Sequence, residues 1–239
     1  MSLLTLVRHG QASYMSEDYD RLSEVGRQQA QKIGEFWVRH RWTFDRAFYG
    51  PAKRHLHTME IASQVATKAG LPWPEPVLIP AFDEFDAFQV MKSMVPILVT
   101  RDPEVDRLHR EFGEDQASPE AGKVLQRLFE HVARHWCSGE FDIPEVESWA
   151  SFRSRIATAI NEVRGAATKS SSIVVFTSGG PIAATLSQTL DLTPQKAVEF
   201  VWLSRNASYS EFLFTGDRFS LSSFNSIPHL DDRSLLTYR

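Results

Sequence analysis

Short apolar runs and longer amphipathic stretches alternate along the 239 residues of this chain. Residues 3–7 (LLTLV) are too few for a helix and are typical of a buried strand, and residues 173–177 (IVVFT) form a second such run. Apolar positions recur at helical spacing over residues 24–40, 52–66 and 147–163. This alternation predicts an α/β fold, a three-layer sandwich in which helices flank a mostly parallel central sheet.

Further apolar runs predict the remaining strands of the sheet, at residues 44–49, 77–80, 201–204, 209–214 and 219–224. Residues 86–145 break the rhythm of strand and helix. Within them, residues 90–99 and 122–136 read as helices, separated by an acidic, proline-containing stretch at residues 102–119. We therefore expect a single domain over residues 1–239, with a helical insertion at about residues 86–145. Such an insertion would cover a ligand pocket at the edge of the sheet and select what binds there.

The composition restricts the kind of partner. With 42% hydrophobic residues the chain can bury a sizeable core, and a net charge of −4 offers no basic field for nucleic acid or an anionic membrane. A small phosphorylated ligand fits this charge better than nucleic acid or a membrane surface does. The single cysteine, Cys137, excludes an internal disulfide framework and indicates a reducing cytoplasm. The apolar start lacks a charged leader and is interrupted by Arg8, so we expect neither a signal peptide nor a membrane anchor.

The first strand runs directly into a cationic turn, Arg8-His9-Gly10. Gly10 lets the backbone turn sharply, which delivers Arg8 and His9 to the carboxyl edge of the sheet, where ligands bind in open α/β folds. A guanidinium beside an imidazole suits a phosphate dianion. From these two residues alone, a surface turn with an ion pair is the alternative.

Two later junctions offer partners for this turn. Arg54 lies in the first turn of the helix that follows residues 44–49, and Thr58 lies four residues on, on the same face. Glu84 follows the strand at residues 77–80 and could protonate a leaving oxygen if burial raises its pKa. Asp83 and Asp86 are rivals for that role, and acidic residues after a strand are often simply solvated.

Five segments resemble motifs of the histidine phosphatase superfamily, also called phosphoglycerate mutase-like, and they occur in the family's order: LVRHGQAS (6–13), LSEVGRQQA (22–30), GPAKRHLHT (50–58), FDE (82–84) and SGG (178–180). The resemblance implies that His9 accepts the phosphoryl group and that Arg8, Arg54 and Glu84 are catalytic. Gln11, Ser178 and Gly179 complete the expected phosphate-binding set, and no cofactor or metal is implied.

The chain departs from the family pattern at residue 178, where most catalytic members carry a second histidine and this chain has Ser178. Losing one charged donor at a transition state typically costs ~10²- to 10³-fold in rate, or about 3 to 4 kcal/mol. The Ser178 hydroxyl remains a donor, and the amides of Gly179 and Gly180, ahead of a helix predicted at residues 182–190, form a ready anion site.

Three further positions in the same motifs bear on the pocket. Gly50 replaces a serine, and His55 stands where a small residue usually packs, so the local fit is looser than the motif suggests. His57, one turn after Arg54, could lean into the pocket or be an ordinary packed or solvent-facing histidine. Asn206 resembles a family position that supports the pocket.

Two classes of function follow. The first is a phosphohydrolase acting through a phosphohistidine on a small phosphorylated metabolite, a phosphomonoesterase of the histidine acid phosphatase type. The second is a weakened phosphoryl-binding or regulatory protein, but a mere binder has no use for the proton donor Glu84. A phosphoglycerate mutase is a third possibility, against which the arginine- and tyrosine-rich continuation is absent after Glu84. His131 and His135 share a helix face, but no third metal ligand is evident.

Overall fold

The computed structural model of the chain describes residues 1–13, 20–114, 118 and 120–238. The first part alternates strand and helix: β1 (Ser2–Arg8), α1 (Glu24–His40), β2 (Arg46–Tyr49), α2 (Lys53–Lys68) and β3 (Pro76–Leu78). Three helices follow without an intervening strand: α3 (Ala87–Leu98), α4 (Pro103–Glu114) and α5 (Ala121–Ser138). The last part comprises α6 (Trp149–Gly165), β4 (Ser172–Thr177), α7 (Gly179–Thr189), α8 (Pro194–Leu203), β5 (Tyr209–Thr215) and β6 (Arg218–Ser226).

The described strands form one sheet in the order β3-β2-β4-β1-β5-β6. The pairs β1–β4, β2–β4 and β2–β3 are parallel, whereas β5 pairs antiparallel with both β1 and β6. Five strands therefore share one direction and β5 alone runs against them, which confirms the mostly parallel sheet. In the register of β1 and β4, Arg8 lies opposite Thr177. The two central strands thus end side by side, and the residues that follow them meet at one edge.

The alternation of side chains along β1 and β4 divides the core into two layers. Val7, Val174 and Phe176 point toward α1 and α2 and pack with their buried side chains. Leu6 and Val175 point to the opposite face, where α6, α7 and the helices of residues 87–138 cover them. Each fully buried side chain of this size contributes about 1.5–3 kcal/mol. The three-layer arrangement expected from the sequence is confirmed.

The strand predicted at residues 201–204 is wrong, because these residues end helix α8. Pro194 occupies the first turn, and the Thr193 hydroxyl accepts a hydrogen bond from the Lys196 N–H as the N-cap. The helix then continues to Leu203 and buries Val201. A run of four apolar residues cannot by itself distinguish a buried strand from the last turn of a buried helix.

Helix α4 was not expected either, since residues 102–119 read as a connecting stretch. The Asp102 carboxylate accepts hydrogen bonds from the N–H groups of Glu104 and Val105, so it caps a helix that begins at Pro103. Val105 and Leu108 are fully buried on its inner face. Proline is well tolerated in the first turn of a helix, which is why the acidic, proline-containing pattern did not exclude one.

The helices of residues 87–138 pack on the rest of the fold through aromatic contacts. Phe85 stacks on Trp136 of α5 with ring centroids 4.5 Å apart, and Phe129 contacts the Trp202 ring of α8 edge-on at 4.9 Å. The interpretation of residues 86–145 as a substrate-selecting insertion within a single domain stays a prediction. In the described part of the chain, no helix is long and apolar enough to cross a membrane.

Candidate active site

The end of β1 sends Arg8 and His9 to different sides of the sheet edge. The His9 N–H donates to the Thr177 carbonyl (2.9 Å), so the pairing with β4 continues one residue past the strand. An Arg8 guanidinium nitrogen donates to the carbonyl of Ser204, at the end of α8, and the guanidinium carbon lies beside Gly179. The His9 ring instead faces Arg54 and His55 of α2.

Hydrogen bonds set the state of the His9 imidazole. Its Nδ1 lies 2.7 Å from the Gly10 carbonyl oxygen, which can only accept, so Nδ1 carries the proton. The Nε2 lone pair points outward and accepts a hydrogen bond from Arg54 Nε at 3.2 Å. Burial, followed by the charges of Arg54 and Arg8, holds the pKa of His9 well below its usual 6.5. A neutral imidazole with an unprotonated Nε2 is the form required of a nucleophile.

Arg54 lies at the centre of the site, and three groups contact its guanidinium. Besides His9, Nη2 lies 3.4 Å from Ser178 Oγ, and Nη1 donates to Asp20 Oδ1 at 2.6 Å. The second Asp20 oxygen accepts from the Lys53 N–H (2.7 Å) at the start of α2, where the helix dipole favours an anion. Asp20 is a site residue that the sequence analysis missed, because it lies in a polar loop with no pattern to mark it.

Thr58 joins the turn at residues 9–10 to helix α2. Its hydroxyl accepts from the Gly10 N–H (3.0 Å) and donates to the Arg54 carbonyl (2.7 Å). A Cβ on Gly10 would lie 2.4 Å from the Gly26 carbonyl oxygen of α1, so only glycine allows this approach. The predicted shared face of Arg54 and Thr58 therefore serves two purposes: one residue faces the pocket and the other anchors the turn.

Residues near the end of the described chain support the same turn from the other side. The His9 carbonyl accepts from the Ala207 N–H at 3.0 Å and lies 3.5 Å from the side-chain amide nitrogen of Asn206. The Thr237 hydroxyl donates to the Asn206 side-chain oxygen (2.9 Å) and accepts from the Gln29 amide (2.9 Å). The buried Asn206 thus contacts the backbone of the turn, as its resemblance to a supporting position implies.

Gln11 lies at the rim of this arrangement. Its backbone N–H donates to Gln29 Oε1 (2.8 Å), and its side-chain oxygen accepts from the hydroxyl of Ser23 (2.8 Å), the N-cap of α1. The structure therefore ties Gln11 to the start of α1. Its contact with phosphate stays a prediction.

Glu84 follows a short 3₁₀ turn (Pro80–Phe82) after β3 and reaches the start of α7. Its Oε2 accepts from the Gly180 N–H at 2.9 Å. Burial raises the pKa of Glu84, with the Gly180 hydrogen bond and the Arg54 charge opposing that effect. The Gly180 amide is therefore engaged by Glu84, not left free for phosphate as the sequence had suggested.

The two rival carboxylates lie outside the site. Asp83 is exposed and accepts from the Glu84 N–H (2.9 Å), and Asp86 is exposed and caps α3 by accepting from the Gln89 N–H (2.8 Å). Of the three acidic residues, Glu84 is the one whose carboxylate accepts a hydrogen bond from the described start of α7. This placement favours Glu84 as the proton donor.

Ser178 and Gly179 follow β4 and face the guanidinium groups. Ser178 is 1% exposed, and a Cβ on Gly179 would lie 3.8 Å from the Arg8 guanidinium carbon. Ser178 Oγ lies 2.6 Å from Nε2 of His55, whose ring centroid is 5.7 Å from that of His9. His55, which the motif comparison treated as a packing departure, is thus a second residue whose place in the site the sequence did not show.

The other histidines weighed in the sequence analysis are not brought to this site. His57 is partly buried and makes no hydrogen bond or ring contact with the site residues described. His135 pairs with Asp102 at 2.8 Å, which helps to lower the pKa of that carboxyl. Within the described ranges, no three histidine, cysteine, aspartate or glutamate side chains are grouped so as to hold a metal ion.

Fold and site together define an α/β protein whose buried imidazole and two guanidinium groups meet at the carboxyl edge of the sheet. The sequence model of the histidine phosphatase superfamily (branch 1) matches residues 4–128 and 110–227. The chain therefore belongs to that superfamily, as its motifs had indicated.

Solved structures of similar fold span nearly the whole chain. A phosphoserine phosphatase from Entamoeba histolytica in complex with phosphoserine is 20% identical, covers 96% of this chain and 100% of its own, and has a TM-score of 0.62. Mycobacterial glucosyl-3-phosphoglycerate phosphatase is 18% identical (95% and 99% covered, TM-score 0.59). A phosphoglycerate mutase from Bacillus anthracis is 15% identical (96% and 95% covered, TM-score 0.63). At these identities the likeness is one of fold.

Proposed function

We propose that this protein is a phosphomonoesterase that removes the phosphoryl group of a small phosphorylated metabolite through a phosphohistidine on His9. The observation that carries this proposal is the unprotonated Nε2 of His9, directed at Arg54 in a site that also holds a carboxyl of raised pKa, Glu84. Superfamily membership and the phosphatases among the proteins of similar fold support the same reaction class.

In the first step, His9 Nε2 attacks phosphorus and the bond to the ester oxygen breaks. Glu84 gives its proton to the leaving oxygen, so the alcohol departs neutral. Arg8 and Arg54 neutralise the charge on the phosphoryl oxygens, and the Ser178 hydroxyl supplies a further donor. Arg54 Nε–H, which bonds to Nε2 in the free protein, turns to a phosphoryl oxygen as the new P–N bond takes its place.

In the second step, the Glu84 carboxylate accepts a proton from water as the water oxygen attacks phosphorus. The P–Nε2 bond breaks, inorganic phosphate forms, and both His9 and Glu84 return to their starting states. The carboxyl thus acts first as acid and then as base. Its raised pKa extends the protonated form needed for the first step toward neutral pH.

The test is a screen of phosphate release over a panel of small phosphoesters, with His9→Ala as the inactive variant. His57→Ala, on helix α2 with Arg54 but without a hydrogen bond or ring contact to the site residues described, is the matched control and should retain activity. Rapid quenching and digestion in alkali should place an acid-labile phosphate on His9. Turnover by His9→Ala at the wild-type rate would refute the proposal.

A phosphoryl-binding or regulatory protein is the second candidate, and the neutral Ser178, at the position where most catalytic members carry a histidine, is the observation in its favour. It predicts that the wild-type protein binds inorganic phosphate yet releases none from any ester. A mutase predicts transfer of the phosphoryl group between hydroxyls of one metabolite without free phosphate. Product analysis in the same screen separates these outcomes from hydrolysis.

A further inference from the structure

His55 is fully buried next to the residues expected to react, yet the mechanism above does not use it. Its Nε2 lies 2.6 Å from Ser178 Oγ, and its ring centroid is 5.7 Å from that of His9. We propose that His55 is a positioning residue, whose Nε2–H holds Ser178 Oγ so that the Ser178 hydroxyl proton is directed to a phosphoryl oxygen. The inference rests on the proposed function, and it adds a residue to which no role is assigned there.

The position of the His55 proton follows from the partners of its two nitrogens. Nε2 lies 2.6 Å from Ser178 Oγ, whereas the Gly50 backbone lies near Nδ1 without the geometry of a hydrogen bond. A buried N–H is stabilised most by the better-placed acceptor, so we assign the proton to Nε2. Burial and the Arg54 charge lower the pKa of His55 and outweigh the opposing effect of the Gly50 backbone, which keeps the ring neutral.

Two donors then meet at Ser178 Oγ. His55 Nε2–H approaches at 2.6 Å and Arg54 Nη2 at 3.4 Å, which engages both lone pairs of the hydroxyl oxygen. The Ser178 proton then points away from both donors. We infer that it is directed to the side on which a phosphoryl group would lie between Arg54 and His9, whose Nε and Nε2 are 3.2 Å apart. His55 thus turns a freely rotating hydroxyl into an oriented donor.

The structure also shows what makes room for the imidazole. A Cβ on Gly50, at the end of β2, would lie 2.6 Å from His55 Nδ1 and 2.6 Å from the Phe82 carbonyl oxygen. Any side chain at residue 50 would therefore push His55 away from Ser178. Gly50, His55 and Ser178 depart from the motif pattern together, and in space they form one contact unit drawn from three elements.

A double-mutant cycle tests the role of His55. His55→Asn keeps a polar amide that is too short to reach Ser178, whereas the amide nitrogen of His55→Gln reaches the place of Nε2. We expect kcat/KM to fall about tenfold for His55→Asn, the effect of one well-placed hydrogen bond, and to be largely retained for His55→Gln. With Ser178→Ala as the background, His55→Asn should cost little more, because the group it orients is already absent.

The same cycle is run on the Kd for inorganic phosphate, so it can be read even if the wild-type protein hydrolyses no ester and the proposed function fails. His57→Asn on the same helix is the control, and thermal unfolding of every variant reports its fold. A merely structural histidine would give equal losses in both Ser178 backgrounds, and that result overturns the proposal.

One measurement uses the wild-type protein alone and so does not depend on whether any variant folds. In ¹⁵N-histidine NMR spectra of the wild-type protein, His55 should be the Nε2–H tautomer. Assignment of the proton to Nδ1 would overturn the proposal, because the Ser178 hydroxyl would then be committed to His55 as donor.

Discussion

Gly180→Ala should separate the activity of this protein from its stability. A Cβ on Gly180 would lie 1.8 Å from Glu84 Oε1 and 2.9 Å from its carboxyl carbon. Non-bonded heavy atoms prefer separations of about 3.5 Å or more, so the carboxyl oxygen must retreat by about 1.7 Å. The Phe85 ring, whose Cδ1 would lie 3.0 Å from the new Cβ, must give by a few tenths of an ångström. Because the group displaced furthest is the end of a flexible side chain, the backbone of α7 need not move.

The expected effect on the rate is large. A misplacement of about 1 Å of a reacting group can cost ~10²-fold, and a positioned proton donor is typically worth 10²- to 10⁴-fold. We expect kcat/KM to fall at least ~10²-fold, or about 2.7 kcal/mol. The unfolding free energy should change by only about 1–2 kcal/mol, the worth of the lost hydrogen bond to Glu84, partly offset by the better helix propensity of alanine.

The assay is steady-state hydrolysis of an alkyl phosphate alongside thermal unfolding. Gly165→Ala, where a Cβ would meet nothing within 4 Å, is the matched control and should leave both quantities nearly unchanged. Gly179→Ala, with the Val201 carbonyl oxygen 3.3 Å from its Cβ, should be intermediate. If Gly180→Ala hydrolyses the ester within about threefold of the wild-type rate, Glu84 does not act from the position described here.

Four further outcomes follow from the site and the core. Glu84→Gln should slow hydrolysis of alkyl phosphates by ~10²- to 10⁴-fold but that of an aryl phosphate, whose leaving group needs no proton, far less. Equal losses would contradict the acid role. Burial raises the pKa of Glu84, so ionising this carboxyl costs more in the folded than in the unfolded protein, and the free energy of unfolding falls as pH rises through the raised pKa. Urea unfolding should therefore show Glu84→Gln gaining stability relative to wild type from pH 4 to pH 8. Burial lowers the pKa of His229 from 6.5 to about 4, so wild type should lose about 3 kcal/mol as pH falls through that window and His229→Phe should not; parallel pH curves would refute this. Activity should persist in a chelator, since side chains supply the positive charge, and rescue by one divalent ion would contradict it.

Much of the site could be predicted from local sequence because local patterns position its parts. The strand at residues 3–7 and the turn at Gly10 each follow from neighbours in the chain, and the structure has the strand at Ser2–Arg8. Arg54 and Glu84 stand where strand ends meet helix starts, and the parallel sheet brings those ends to one edge. Each of these inferences needs only periodicity and the direction of the strands.

The remaining features depend on register between distant segments. His55 and Ser178 are 123 positions apart in the sequence, and Asp20 and Arg54 are 34 positions apart. Neither contact can therefore be predicted from a periodic pattern in the sequence. The error at residues 201–204 has another cause. Val201 and Trp202 have side chains that are common in strands, but they form the last turn of helix α8, whose N-cap Thr193 lies too far upstream to mark them as helical. Contact with Phe129 of α5 favours the helix over their intrinsic preference.

The contacts of Thr237 with Asn206 and Gln29 make this threonine part of the support around His9, 228 positions away in the sequence. Proteolytic cleavage between Asn206 and Thr237 would detach the hydroxyl that two buried amides share, although no reacting group would be lost. A preparation nicked in that interval would therefore keep every predicted catalytic side chain and still have a less firmly held turn at residues 9–10.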